Sequence, residues 1–458
     1  MSVREEACRI LYEVLEQEGK SHILLRRLSA RHPDFTARDN AFIRQLVNGT
    51  IERAPLLDYL LNRVSSVPVR KMKPYVRTVL RMGAYQLLFM SSVPASAACN
   101  ESVRLIKKRR MGALAGFVNG VLRKLAAEVA PAPAAPLRRM LPREAELCMP
   151  AEPYEMIREV LGEQTAGEVC RRFLEPMPLT VRCNLSLCEP ERVRVMLAED
   201  GIHSIVVEGL PEALLLPDGG NIERTRAFRQ GLIRVQDISS ILVGRAANLS
   251  PGMSVLDLCA APGGKCLHAA DLLRGTGHVY AHDISEAKLR LINENIAASG
   301  FTNISARIQD AAVFNPDYEA RFDVVLADLP CSGLGVIGRK PEIRYRVRRE
   351  QVDALAALQR SILQVAVRYV RPGGRLIYST CTITRQENEE NYRWLLDGHG
   401  FYADALARHL PEPLRAHVNE GALQLYPGIL PVACDGFFVS AAVRKHDGAT
   451  DLVRKTGD

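Results

Sequence analysis

Residues 254–265, SVLDLCAAPGGK, read as a short apolar strand running through Asp257 into a turn that carries paired glycines and a lysine. Gly263 and Gly264 let the backbone approach a ligand closely and open a helix. The same rhythm continues downstream. Apolar strands are predicted at Ser254–Leu258, His278–His282, Ile304–Ile308, Asp323–Ala327 and Arg375–Ser379, with helices between them, notably Glu286–Ala298 and Gln351–Tyr369. Strands alternating with helices predict a doubly wound parallel sheet, a Rossmann-like α/β domain over residues 251–445.

In open α/β sheets ligands bind outside the carboxyl ends of the strands, so the polar residue just past each strand is the place to look. After Asp257, the next strand-end carboxylate is Asp283, 26 residues on, at the end of the second strand and suited to accept hydrogen bonds from ribose hydroxyls. Asp310 follows the third strand, placed to meet an adenine edge. The turn lacks the Gly-x-x-x-x-Gly-Lys-Ser/Thr pattern of an NTPase and departs from the Gly-x-Gly-x-x-Gly of a dehydrogenase. An S-adenosylmethionine pocket fits these carboxylates better.

The fourth strand ends in Asp328-Leu-Pro-Cys331 and the fifth in Ser379-Thr-Cys381, so both thiols sit on the ligand-binding edge. Neighbouring fourth and fifth strands bring them to a common cleft beside the cofactor. The chemistry explains the need for a thiol. Carbon-5 of cytosine is a poor nucleophile until a thiolate adds at carbon-6 and makes it enamine-like, which splits one hard step into easier ones. Because a free thiol has a pKa of roughly 8.5, the site must raise the thiolate fraction, through a helix N-terminus or Lys265. Asp328 is placed to hydrogen-bond the base and hold charge that develops on thiol addition.

Working outward, residues 1–130 place apolar side chains at helical spacing, as in Ala7, Ile10, Leu11, Val14 and Leu15, or Val76, Leu80 and Leu87, and read as an all-helical domain. An Ala/Pro-rich linker over 131–142 cannot sustain a helix. Residues 143–250 mix short helices and strands and read as a small α/β RNA-binding module, and 446–458 form a polar tail. The net charge of +8 is concentrated in the N-terminal helical part, which points to a polyanionic partner. Charges interrupt every apolar stretch before the roughly 20 residues of a membrane span, and the first residues carry no signal pattern. A cytoplasmic protein with reduced cysteines is expected, and without a Cys-x-x-Cys pair no metal site is expected. The basic stretch Arg339–Arg349 (RKPEIRYRVRR), just after Cys331, reads as a loop that grips an RNA strand, with Arg339, Lys340 and Arg344 as contacts.

The segments DLCAAPGGK, DLPCSGLGVIGRKPEIRY, PGGRLIYSTCT with Glu387-Asn388-Glu389, LQLYPG and DGFF together resemble the bacterial 16S rRNA cytosine-5 methyltransferases of the RsmB (Sun/Fmu) family. The helical N-terminus resembles NusB through Asn100-Glu101-Ser-Val-x-Leu and Phe117-Val-Asn-Gly-Val-Leu-Arg123. The resemblance implies S-adenosyl-L-methionine as cofactor, 16S rRNA as partner, the family target cytosine 967 and a monomer. It implies that Cys381 forms the covalent bond and that Cys331 assists release of the product. It carries cofactor contacts onto Cys259, Ala260, Ala261, Pro262, Gly263, Gly264 and Lys265, with Asp283, Asp310 and Asp328. Cys266, where the family has Thr, and Leu329, where Ala is common, depart from its pattern. The alternatives are a cytosine-5 methyltransferase acting on tRNA, another rRNA site or DNA, or a non-catalytic RNA-binding assembly factor. The NusB-like half argues against the first two targets, the missing large recognition domain against DNA, and the two cysteines against a silent factor.

Overall fold

Ser2 and Glu5 close a capping box that starts helix Val3–Glu16, and Thr36 and Asp39 do the same for Ala37–Glu52. Pro55 and Pro74 stand in the first turns of helices Ala54–Val64 and Pro74–Phe89, where the missing N–H costs nothing. These helices, with Ala95–Lys108 and Ala115–Val129, surround one apolar core running from Ala7 to Leu125. Gly49 lets two of them approach closely, since a Cβ there would lie 2.1 Å from the Tyr85 ring.

The computed structural model describes residues 2–129 and 141–446. Most of the expected linker and nearly all of the expected tail lie outside the described residues. The chain divides into two compact units. The helical unit comprises Met1–Arg158, Glu163–Leu174 and Ile337–Val347. The second unit comprises Glu159–Gly162, Glu175–Val336 and Arg348–Asp458. The stretch 143–250 is therefore not one body: most of its first 32 residues belong with the helices.

Segment Ile337–Val347 corrects a sequence expectation. Arg344 is fully buried, and its guanidinium donates to the backbone oxygens of Glu52 (2.9 Å), Cys148 (2.8 Å) and Pro341 (3.0 Å). The Tyr345 hydroxyl donates to Ile51 O, and Arg346 donates to Val14 O (3.2 Å) and Gly19 O (2.6 Å). Glu342 accepts from the backbone N–H (3.0 Å) and hydroxyl (2.7 Å) of Ser21. The last carbonyls of a helix have no intrahelical donor and carry partial negative charge, so cationic side chains are favoured there. Arg344 and Tyr345 serve the end of Ala37–Glu52, and Arg346 serves the end of Val3–Glu16. Arg344 is thus a buried helix-capping group with no exposed guanidinium to offer an RNA phosphate, while Arg339 and Lys340 remain half-buried in the same segment. Arg344→Ala is expected to lower the stability of the helical unit by about 3 kcal/mol, because it strands buried carbonyls. A shift in urea midpoint checks this, and an unchanged midpoint would refute it.

The second unit holds two sheets. Strands β1 (Leu179–Cys183), β2 (Ile205–Val207), β3 (Leu210–Leu216) and β4 (Ile233–Val235) pair antiparallel in the order β2-β3-β1-β4. Buried Arg182 of β1 donates to Gln236 Oε1 (2.9 Å) and to Asp271 Oδ2 (3.2 Å). Asp271 lies on helix Gly264–Leu272, so the small sheet is fastened to the helix that opens at the paired glycines.

The larger sheet contains β5 (Ser254–Asp257), β6 (His278–Asp283), β7 (Ile304–Ile308), β8 (Phe322–Asp328), β9 (Val370–Thr380), β10 (Phe401–Ala403), β11 (Ala422–Leu425) and β12 (Phe437–Arg444). Its order is β10-β12-β9-β8-β5-β6-β7, with β11 paired to β12. The five strands expected from sequence pair in parallel, and the order reverses at β5. The departure is β12, which runs antiparallel to β9, β10 and β11 and makes the sheet mixed. No crossover helix precedes β12, so the chain returns beside β9 in the opposite sense.

Candidate active site

The reversal at β5 marks the place where open α/β sheets bind ligands, and the cofactor and cysteine residues singled out from sequence stand at or just past the carboxyl ends of β5 to β9, whereas Arg339, Lys340 and Arg344 belong to the helical unit. Gly263 adopts a left-handed backbone (φ 115°) that starts helix Gly264–Leu272. Ala260 N–H donates to His282 O (2.8 Å) and Ala261 N–H to Asp283 Oδ2 (3.0 Å), which holds the turn against the end of β6. Gln309 N–H donates to Asp283 O (3.0 Å), so Asp310 stands next to Asp283 beyond β7, exposed. Cys266, the extra thiol, is fully buried and donates to Gly263 O; burial pushes it well above the usual thiol range, which leaves it inert.

The ends of β8 and β9 carry the reactive groups. Backbone pairing of Asp328 with Ser379 and of Leu329 N–H with Ser379 O (3.0 Å) sets the two strand ends side by side. Beyond them the Sγ atoms of Cys331 and Cys381 lie 3.2 Å apart, with neither in a disulfide. Lys265 Nζ reaches Asp328 Oδ2 at 2.7 Å, and Ser379 Oγ donates to Asp328 Oδ1 at 2.8 Å. Burial pushes the Lys265 ammonium down, but Asp328 and Asp257 outweigh it and hold the pKa above the ordinary lysine value. The Cys331 thiol is pushed well above the usual range, first by its hydrogen bond with Cys381, then by burial and by Glu387 and Asp328. Cys331 therefore stays protonated and can donate to the sulfur of Cys381.

Sequence reasoning missed the frame that holds this pair. Buried Glu387 accepts from Ser332 N–H (2.8 Å), Ser332 Oγ (2.5 Å), Thr384 Oγ1 (2.9 Å) and Gln359 Nε2 (3.1 Å). Burial raises its pKa, and these four donors oppose the rise. Ser332 Oγ also lies 2.7 Å from Thr382 Oγ1, so the residues following the two cysteines are bonded to each other. Asn388 Nδ2 donates to Thr382 O (3.0 Å), and Gly335 N–H donates to Cys381 O (3.1 Å). The only signal in the sequence was the Glu387-Asn388-Glu389 triplet, whose carboxylates have no visible partner at a separation of 55 residues from Ser332.

A family model for 16S rRNA methyltransferase RsmB/F matches residues 246–443, and one for the NusB family matches residues 1–127. Among curated proteins, the probable ribosomal RNA small subunit methyltransferase B of Bacillus subtilis (strain 168) is 34% identical, covering 97% of this chain and 99% of that protein. The chain belongs to the ribosomal RNA small subunit methyltransferase B family. The family member from Xanthomonas campestris pv. campestris is 30% identical over 96% of this chain and 97% of its own length. Among solved structures, PH0851 has a TM-score of 0.79 at 27% identity and covers 96% of this chain and 99% of its own. NSun6 from Pyrococcus horikoshii with SFG covers 65% of this chain and 99% of its own at 22% identity and a TM-score of 0.59, which bears on the fold alone.

The cofactor of this methyltransferase fold is S-adenosyl-L-methionine, and the residues present fit it. Asp257 is fully buried at the end of β5, and neither oxygen has a full hydrogen-bond partner, although the Cys259 amide approaches it. A buried carboxylate left open in this way suits a cationic ligand, and the carboxylates of Asp283 and Asp310 at the next strand ends suit ribose and adenine. Burial, then the Asp328 charge, raise Asp257 to about 7, against the opposing pull of Lys265. The folded state thus binds a proton that the unfolded state releases near pH 3.8. The stabilisation from the protonated group is complete below that pH and is lost as pH rises to about 7, at about 1.4 kcal/mol per pH unit. Asp257→Asn is expected to remove this decline in the protein without cofactor. Parallel urea midpoints of the two proteins across that range would contradict the assignment.

Proposed function

We propose that the enzyme methylates carbon-5 of a cytosine in 16S rRNA through a covalent cysteine–cytosine intermediate, in the cytoplasm and as a monomer. The observation that carries this reading is the 3.2 Å approach of Cys331 and Cys381 at adjacent strand ends, beside the Lys265–Asp328 ion pair. Bound S-adenosylmethionine supplies an electrophilic methyl group. Cys381, as thiolate, forms the Sγ–C6 bond while the C5–C6 π electrons move into the ring, Asp328 accepts a hydrogen bond from the base's amino group, and the Lys265 ammonium beside it offsets the negative charge that addition creates. Lys265 holds Asp328 in place through their 2.7 Å ion pair. Carbon-5 takes the methyl group and then loses its proton to a base, the Sγ–C6 bond breaks, and the protonated Cys331 thiol donates to the departing Cys381 sulfur. The target base must be unpaired or flipped out to reach the thiols.

The small-subunit rRNA named for the curated relatives supports 16S rRNA as the substrate, and the family resemblance points to cytosine 967. Bisulfite sequencing of total RNA from a deletion strain tests both statements. Loss of one 5-methylcytosine from small-subunit rRNA is expected, and unchanged small-subunit rRNA would overturn the proposal.

A further inference from the structure

We infer that the end of the helical unit built by Arg70–Lys73 and Lys107–Arg110 is a docking surface for the RNA phosphate backbone. The inference rests on the reading that the substrate is RNA, and it concerns a surface of the helical unit rather than the thiol site. Between Tyr59 and Ala127 the chain carries thirteen Lys and Arg and a single acid, Glu101. Helices Pro74–Phe89 and Ala95–Lys108 are joined by a short turn, so the start of the first lies beside the end of the second. The Arg109 guanidinium packs over the Tyr75 ring at 5.4 Å, which brings the two basic segments together.

Arg70, Lys71, Lys73 and Lys107 to Arg110 are all exposed. Lys108 pairs with Glu5 at 2.7 Å, and the other six make no ion pair among the described residues. Arg77 and Arg81, only one and two turns further along, are by contrast tied to Glu16 and Asp58.

Local helix electrostatics account for only half of this cluster. Cations at the end of Ala95–Lys108 are favoured by the helix dipole, but Arg70, Lys71 and Lys73 crowd the positive start of Pro74–Phe89, where cations are disfavoured. Lys73 is the N-cap of that helix and offers it no side-chain acceptor, so nothing in the cap offsets the positive charge gathered at the helix start. Arg110 supplies an independent sign. It occupies a left-handed backbone (φ 58°) just past the helix, in a turn closed by Met111 N–H to Ile106 O at 3.1 Å. Glycine or asparagine is favoured at that position, and a long side chain there costs about 1 kcal/mol. Placing an arginine where the backbone disfavours it, among unpaired like charges, sacrifices stability for a concentrated positive surface. Spaced, repeated anions are its complement, and an RNA backbone provides them without sequence preference.

Filter binding of unmodified 16S rRNA transcript to the full-length protein tests this across a range of salt concentrations. Neutralising five residues together (R70Q, K71Q, K73Q, K107Q and R110Q) is expected to weaken binding about 10- to 100-fold and to flatten the slope of log K against log salt by about 3 to 4. Neutralising Arg26, Arg27 and Arg31, exposed elsewhere on the same unit, is expected to change the slope by less than about 0.5. R110G is expected to weaken binding while the melting temperature rises, an opposition that misfolding does not produce. An unchanged slope in the fivefold variant, or an equal change in the Arg26/Arg27/Arg31 control, overturns the inference. Loss of methyl transfer to 16S rRNA in the parent protein would instead count against the proposed reaction, since this binding measurement does not depend on catalysis.

Discussion

Cys381→Ala is expected to abolish methyl transfer, whereas Cys331→Ala is expected to bind RNA covalently and fail to release it. Removing a catalytic nucleophile costs roughly four orders of magnitude or more in rate, because no neighbouring group replaces the bond it forms. The division of roles between the two thiols rests on the family resemblance, and the surroundings of Cys331 agree with it. Cys331 lies within hydrogen-bond reach of Cys381, is half-buried, and faces the Glu387 and Asp328 carboxylates, all of which push its thiol well above the usual range. A protonated thiol is a poor nucleophile and a suitable proton donor to a sulfur that must depart. Transfer of labelled methyl groups to rRNA measures the first variant, and a protein–RNA band surviving denaturing electrophoresis measures the second. An adduct that requires Cys331 and survives loss of Cys381 would reverse the two roles.

Substitution of Glu387 should produce the next largest effect without touching a reacting atom. Glu387→Ala leaves Ser332 N–H, the hydroxyls of Ser332 and Thr384 and the Gln359 amide without their common acceptor inside the protein. Each such bond to a charged group is worth about 1.5–3 kcal/mol, and the turn carrying Cys331 is what they hold. A loss of about 4 kcal/mol at the transition state corresponds to a roughly thousandfold fall in kcat. Because the frame positions the thiol needed for release, the residual activity should be accompanied by the same covalent adduct as in Cys331→Ala. Glu387→Gln keeps one acceptor and should recover part of the rate. A variant with full kcat and no adduct would mean that the loop holds its shape unaided. Retained binding of S-adenosylmethionine separates this effect from general unfolding.

The parallel core of the larger sheet was legible because most of its strands are short apolar runs ended by a polar residue, and a crossover helix joins each successive pair except β7 and β8. Strand β12 was not: FFVSAAVR is apolar enough for a buried strand, but nothing local states that it runs antiparallel beside β9. The two cysteines were legible as a pair because both follow strand ends, although their 3.2 Å separation depends on a register that only pairing establishes. Glu387 was invisible as a frame because all its donors but Thr384 come from distant parts of the chain.

Arg344 shows the limit of reading charge from sequence. A basic stretch after a reactive cysteine has the composition of a nucleic-acid loop, and composition carries no information about which guanidinium is enclosed. Local pattern alone determined the helical N-terminal unit, the strand–turn–helix at Asp257–Lys265 and the placement of both thiols at strand ends, since periodicity and glycine chemistry act over a few residues. Tertiary structure decided the rest. The orphan carbonyls at the ends of helices Val3–Glu16 and Ala37–Glu52 needed donors, and the chain supplied them from Arg344, Tyr345 and Arg346, some 300 residues away. Burial of polar groups is a long-range balance of hydrogen bonds, so it is settled only when the distant partners meet.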